Sequence, residues 1–162
     1  MMISEKMSKR LNEQVNNEFF AFWTYQAMAY SFDTMGFKGF SSWFGEQAKE
    51  EMSHAMKIAH YLLEQGAEVK LGQLPQPKTD YKTVEEIVNG ALEHELKVTR
   101  QIGEIATQAV QEGDHATRVF NDWFVKEQVE EVSTITEMLQ KVKMAQTPGQ
   151  LLMIEHHLKR EG

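Results

Sequence analysis

Gly66-Ala67-Glu68-Val69-Lys70-Leu71-Gly72-Gln73-Leu74-Pro75-Gln76-Pro77-Lys78-Thr79-Asp80-Tyr81-Lys82-Thr83 is the stretch whose reading decides the fold. Its glycines and prolines stand in polar sequence that is too long for a simple turn. On either side run segments rich in Glu, Lys, Gln, Ala, Leu and Met at helical spacing: Ser4–Phe32, Lys38–Gln65, Val84–Gln111, His115–Ala145 and a short Pro148–Lys159. No strand pattern interrupts them. A helix of about 28 residues is about 42 Å long, and about 16 extended residues reach about 50 Å, so the stretch can traverse a whole bundle. The second and third helices can therefore run parallel. The connections Asp33–Phe37 and Glu112–Asp114 are short, and each joins antiparallel neighbours. The expected architecture is all-α: a single domain over residues 1–162, with a four-helix bundle (4–145), one long crossover and a short fifth helix (148–159).

Helix starts are marked by Thr83-Val84-Glu85-Glu86 and Thr147-Pro148-Gly149-Gln150, which fit capping boxes, and by Asp114 before the fourth helix. In the fifth helix Leu151, Leu152, Ile154 and Leu158 need cover beyond the four bundle seams. That helix is expected to pack in an assembly rather than against the bundle.

The chain has 24 Asp and Glu against 17 Lys and Arg, a formal net charge of -7, which argues against nucleic-acid or anionic-lipid partners and makes cations the natural ones. It has no Cys, so a metal would be held by carboxylate, imidazole, amide or water. Met1-Met2-Ile3-Ser4-Glu5-Lys6 carries no apolar signal core, and no run approaches the roughly 18 apolar residues of a membrane span. A soluble, cytoplasmic protein is expected.

Each long helix carries an apolar seam at steps of three and four, broken near its middle by an acid. The seams read Leu11, Val15, Glu18, Phe22, Tyr25; Phe44, Ala48, Glu51, Ala55, Ile58; Ala91, Glu95, Val98, Ile102; and Phe124, Gln128, Glu131, Ile135, Met138. Counting from the turns, Glu18 and Glu51 lie about 17 and 16 residues from the middle of the first, and Glu95 and Glu131 about 18 from the second. Parallel second and third helices bring both pairs to one layer. Isolated buried carboxylates would each cost several kcal/mol or hold a proton, whereas two divalent ions balance four of them. His54 follows Glu51 by three residues and adds an imidazole to the same helix face, while Gln128 precedes Glu131 by three.

Together with Leu11-Asn12-Glu13-Gln14, Glu50-Glu51-Met52-Ser53-His54, His94-Glu95 and Trp123 before Glu127-Gln128-Val129-Glu130-Glu131, these features resemble the non-haem ferritins of bacteria and archaea over nearly the full length. The resemblance implies a ferritin-like fold and a first iron site from Glu18, Glu51 and His54. It implies a second from Glu51, Glu95 and Glu131, with Glu51 bridging and Gln128 beside the pair. It also implies a third iron site from Glu50, Glu127 and Glu130 with Glu131 shared, and a homo-oligomeric shell of 24 subunits. Tyr25, on the seam of Glu18, is a candidate to hydrogen-bond a ligand or give an electron. The bacterioferritin branch binds haem through a Met standing where Met52 stands, but it ends its second motif in His where this chain has Glu131, so haem is not expected. Only the resemblance gives His156 and His157 a role, lining a channel at a symmetry axis. Trp123, His60, His94 and His115 are expected to be packing, structural or surface residues.

The implied activity is that of a ferroxidase: Fe2+ is oxidised by dioxygen and Fe3+ passes to storage. Oxygen ligands favour the ferric state, and without sulfur and with little nitrogen the product can leave, so iron is substrate more than fixed cofactor. The alternatives are a di-iron oxidase or oxygenase component acting on another substrate, which the short chain disfavours, and a non-catalytic shell subunit, which a complete ligand set disfavours. A DNA-protecting mini-ferritin lacks this ligand pattern.

Overall fold

The computed structural model describes residues 2–158. It contains five helices in chain order: α1 (Glu5–Thr34), α2 (Lys38–Glu64), α3 (Val84–Glu112), α4 (His115–Met144) and α5 (Pro148–His156), with no strand among the described residues. The expected segments match within a few residues. Lys159, where the last was expected to end, lies outside the described residues, as do Met1 and 160–162 of the expected domain.

Local chemistry accounts for the helix ends. Ser4, Thr83, Asp114 and Thr147 each accept a hydrogen bond from the backbone N–H three residues on, which satisfies one of the donors that a helix start leaves over. Glu86 adds to this end by accepting from Lys82 N at 2.8 Å, one residue before Thr83, rather than from Thr83 N as a capping box would. Gly113 closes α3 at φ +65°, a left-handed conformation that L side chains resist.

The apolar core falls into two clusters separated by a polar layer. One holds Met28, Phe32, Phe40, Phe44, Ile87, Val88 and Ile135. The other holds Met7, Leu11, Val15, Ile58, Leu62, Ile102, Ile105 and Phe124. Both α2 and α3 run from the first cluster to the second, so they are parallel, while α1 and α4 run the opposite way. Each fully buried Phe, Leu or Ile contributes roughly 1.5–3 kcal/mol.

The crossover that parallel α2 and α3 require is fastened to α1 by two asparagines one turn apart. Asn12 donates to Glu68 O at 2.9 Å and accepts from Lys70 N at 2.6 Å. Asn16 donates to Lys70 O at 2.9 Å and accepts from Gly72 N at 2.7 Å. Each amide side chain thus reads one stretch of extended backbone as a neighbouring strand would. Further along, Tyr81 packs on the first cluster over Gly90, where a Cβ would come within 3.3 Å of its ring.

The placement of α5 differs from expectation. Rather than waiting for an assembly, it packs on the end of the bundle, with Leu151, Ile154 and Leu158 against the first cluster. Its Glu155 carboxylate accepts Phe40 N at 3.0 Å, supplying the start of α2 with the cap that Phe37 cannot give. Only Leu152 and Met153 of its large apolar residues remain exposed. No helix is long and apolar enough to cross a membrane among the described residues.

Candidate metal centre

The polar layer is made of Glu18 from α1, Glu51 and His54 from α2, Glu95 from α3 and Glu131 from α4, all buried. Glu18, Glu51 and His54 each offer a ligand atom within 4.8 Å of the others, and so do Glu51, Glu95 and Glu131. Glu51 belongs to both groups. A third group of the same compactness joins His54, Glu127 and Glu131.

Neutral donors orient the acids. Tyr25 Oη donates to Glu95 Oε1 at 2.7 Å, and Gln128 Nε2 donates to Glu95 Oε2 at 3.0 Å. Gln14 Nε2 donates to Glu18 Oε1 at 3.1 Å, while Gln47 Nε2 donates to Glu51 Oε1 at 2.9 Å and to Glu131 Oε2 at 2.8 Å. His54 Nδ1 lies 3.2 Å from Glu51 Oε2, and its Nε2 lies 3.5 Å from Glu127 Oε2. Glu18 Oε2 is buried without a hydrogen-bond partner. A naked carboxylate oxygen facing other acids is a costly arrangement for a protein alone and an ordinary one for a cation ligand.

Titration behaviour follows the same logic. Burial, then the charge of Glu51, raises Glu18 well above the usual carboxylate range. Burial followed by the Glu51 charge pushes Glu95 up to about 8, and burial with the charges of Glu95 and Glu51 pushes Glu131 up to about 9. For Glu51 burial works the same way, but hydrogen bonding and charge from His54 outweigh it and hold the carboxyl below its ordinary value. His54 is raised in turn: burial opposes its charge, and Glu51, Glu127 and Glu50 more than compensate. An acid whose ionised form is favoured, beside an imidazole whose charged form is favoured and three acids that resist ionisation, is a charge pattern that cations would complete.

Beyond this layer, Glu50, Gln47, His54, Glu127, Glu130 and Glu131 line part of a pocket of about 700 Å³ between α2 and α4. Glu127 is half-buried and raised first by burial, then by Glu130 and Glu50 against the pull of His54. Glu50, Glu127 and Glu130, the acids of the third site that the resemblance implies, thus line one pocket. The compact group there nevertheless uses His54 and Glu131 with Glu127, and neither Glu50 nor Glu130 enters a ligand-distance group among the described residues. Trp123 stands edge-on to His54 at 5.4 Å between ring centres, with Lys57 Nζ 3.3 Å above its ring. His94 packs edge-on against Tyr25, and its Nε2 is buried without a partner.

Sequence reasoning assigns no role to Gln14 or Gln47. A signal existed: each amide stands four residues before an inward acid, Gln14 before Glu18 and Gln47 before Glu51, where a helix brings the two side chains together. Gln128, expected beside the pair, bonds Glu95 on the neighbouring helix rather than Glu131 on its own.

Residues 8–145 match the family model described as a ferritin-like domain. The chain belongs to the ferritin family. It is 38% identical over 133 residues to the bacterial non-heme ferritin of Staphylococcus haemolyticus, covering 82% of this chain and 80% of that one. With the bacterial non-heme ferritin of Staphylococcus aureus it shares 39% over 132 residues, again 82% of this chain and 80% of the relative. Among solved structures, the open pore ferritin of the hyperthermophilic archaeon Archaeoglobus fulgidus superposes with a TM-score of 0.96 at 36% identity, over 99% of this chain and 100% of that one. An engineered closed form of the same archaeal ferritin gives 0.94 at 37% identity, with 98% of each chain covered.

Proposed function

We propose that this ferritin oxidises Fe2+ with dioxygen at the polar layer of its own bundle and passes Fe3+ to storage inside an assembly of identical chains. The observation that carries the reading is the pair of compact ligand groups sharing Glu51, built from four acids on four helices with a single imidazole. Glu18, Glu51 and His54 would take one Fe2+ and Glu51, Glu95 and Glu131 the other. The donor set fits these ions: oxygen-rich, with one nitrogen, no sulfur, and one buried carboxylate oxygen that receives no hydrogen bond.

In the reaction two Fe2+ each lose one electron, and dioxygen takes both with two protons to the level of hydrogen peroxide. The chain supplies positioning and charge. Two carboxylates whose ordinary state here is protonated give up those protons as cations arrive, so uptake of iron and release of protons are linked. Gln128 and Tyr25 hold Glu95 by both oxygens, which fixes the geometry in which the second ion is received. The acids around the pocket between α2 and α4, including Glu50, Glu127 and Glu130, offer the oxidised product an acidic way out and form a candidate third iron site.

This acidic lining also favours iron storage over oxidation of an organic substrate, which would need a predominantly apolar pocket. The family supports a homo-oligomeric shell, with 24 subunits as the expected count, and a cytoplasmic location.

Stopped-flow absorbance after mixing Fe2+ with aerobic protein tests the reading. Glu51→Ala removes the carboxylate common to both positions and should abolish the fast phase. A fast phase of unchanged rate and amplitude would overturn the assignment.

A further inference from the structure

We propose that Gln47 is a positioning residue whose side-chain amide holds Glu51 of α2 and Glu131 of α4 in the orientation that the second metal position needs. The inference rests on the two-metal reading above and adds a residue and a role to it.

Gln47 is 1% exposed and stands one turn before Glu51 on α2. Its amide nitrogen carries two protons, and the geometry uses one on each acid: 2.9 Å to Glu51 Oε1 and 2.8 Å to Glu131 Oε2. These acids come from different helices, so the amide ties α2 to α4 across the layer. The two ends of the tie are not equivalent. Glu51 is also held by His54, at 3.2 Å. Glu131 stands at the wall of the open pocket, and the hydrogen bond it receives comes from Gln47.

Glu131 has two compact groups open to it, an inner one with Glu51 and Glu95 and an outer one with His54 and Glu127. By engaging Oε2 next to Glu51, Gln47 keeps the carboxylate turned inward and leaves Oε1 for a cation. Gln14 does the equivalent for Glu18 by engaging Oε1 alone, while Tyr25 and Gln128 hold Glu95 by both oxygens. Without the Gln47 amide, Glu131 is left to the outer group, and the inner position keeps only Glu51 and Glu95. Loss of an outer partner of this kind costs about 10–100-fold in metal affinity. The loss should fall on the second position, because the ligands of the first include neither Glu131 nor any other acid that depends on Gln47 alone.

The test uses Co2+ as the sole metal, with the full-length assembled protein. Calorimetric titration gives stoichiometry and affinities, and anomalous scattering from Co2+-soaked crystals identifies which position is filled. Wild type should fill both the Glu18/Glu51/His54 and the Glu51/Glu95/Glu131 positions with Co2+. In Gln47→Met, of similar volume but without donors, occupancy of the Glu51/Glu95/Glu131 position should fall by about 10–100-fold in affinity while the Glu18/Glu51/His54 position stays filled. The KM for Fe2+ should rise with little change in kcat. If Gln47→Met fails to fold, Gln47→Asn carries the test, since its amide is one methylene too short to reach both acids. Equal loss at both positions, or wild-type binding at both, overturns the proposal for Gln47 while leaving the two-metal reading standing. Absence of Co2+ from the bundle of the wild type overturns both.

Discussion

Gly39 of α2 lies directly beneath Glu155 of α5, so close that a Cβ at position 39 would come within 2.9 Å of the Glu155 Cβ. That approach is what lets the Glu155 carboxylate reach Phe40 N and cap a helix whose own N-cap residue has no side-chain acceptor. Gly39→Ala should therefore lift α5 from the bundle, while Glu155→Ala should remove the cap alone. Loss of a cap costs about 0.5–2 kcal/mol, or very roughly 1–8 °C in melting temperature for a chain of this size. Melting curves of the two variants check this; unaltered stability in both would mean that α5 is held by its apolar face only.

Removing α5 altogether, by truncation before Thr147, uncovers the side of the first core cluster that Leu151, Ile154 and Leu158 close. The bundle should stay helical by circular dichroism but melt earlier, and the assembly should weaken. A truncated chain with full shell mass and wild-type melting would show that this helix contributes neither to the bundle nor to its association.

The metal-free protein should lose stability as pH rises from about 5 to 9. Glu95, raised to about 8, and Glu131, raised to about 9, hold protons in the folded chain that the unfolded chain has released, so the folded state binds more protons across that window. His54, whose charged form is favoured in the fold, acts in the same direction above its ordinary value. Glu51, held below its ordinary value, acts oppositely and only at more acid pH. Thermal melts in chelator across this range should slope downward, and Glu131→Gln should flatten the alkaline part. A flat profile for the unsubstituted metal-free chain contradicts the charge pattern.

Glu127→Ala combined with Glu130→Ala should leave the first fast oxidation near normal but change the iron oxidised per dioxygen and the later turnover. Both residues line the pocket beside the metal layer rather than the inner ligand groups. Oxygen-electrode stoichiometry recorded alongside stopped-flow traces decides it. Identical stoichiometry and turnover would return them to an acidic, solvated face.

Tyr25→Phe removes the donor to Glu95 Oε1 from a fully buried place. An acceptor left unsatisfied there costs about 1–3 kcal/mol, so the metal-free variant should melt below wild type, and metal should narrow the gap by occupying the orphaned oxygen. A gap of the same size with and without metal would mark Tyr25 as a packing residue.

The seams of the long helices, broken by Glu18, Glu51, Glu95 and Glu131, made the four-helix architecture and the meeting of the acids legible from the chain alone. Helical periodicity is a local property, and counting rise from two short turns is arithmetic on a rigid repeat, so both survive without tertiary information. The length and composition of residues 66–83 were likewise enough to make α2 and α3 parallel. How that crossover is held was not readable, because Asn12 and Asn16 look like any polar helix residues until extended backbone lies beside them. The place of α5 is not legible in the sequence for a related reason: an apolar stripe on a short helix says that cover is needed, not which surface supplies it. Gly39, Glu155 and the open end of the first core cluster supply it here. The donors that orient the acids also belong to the tertiary structure. Gln47 bridges two helices and Gln128 bonds an acid on a neighbouring one, and such contacts depend on interhelical distances that no spacing within a single helix encodes.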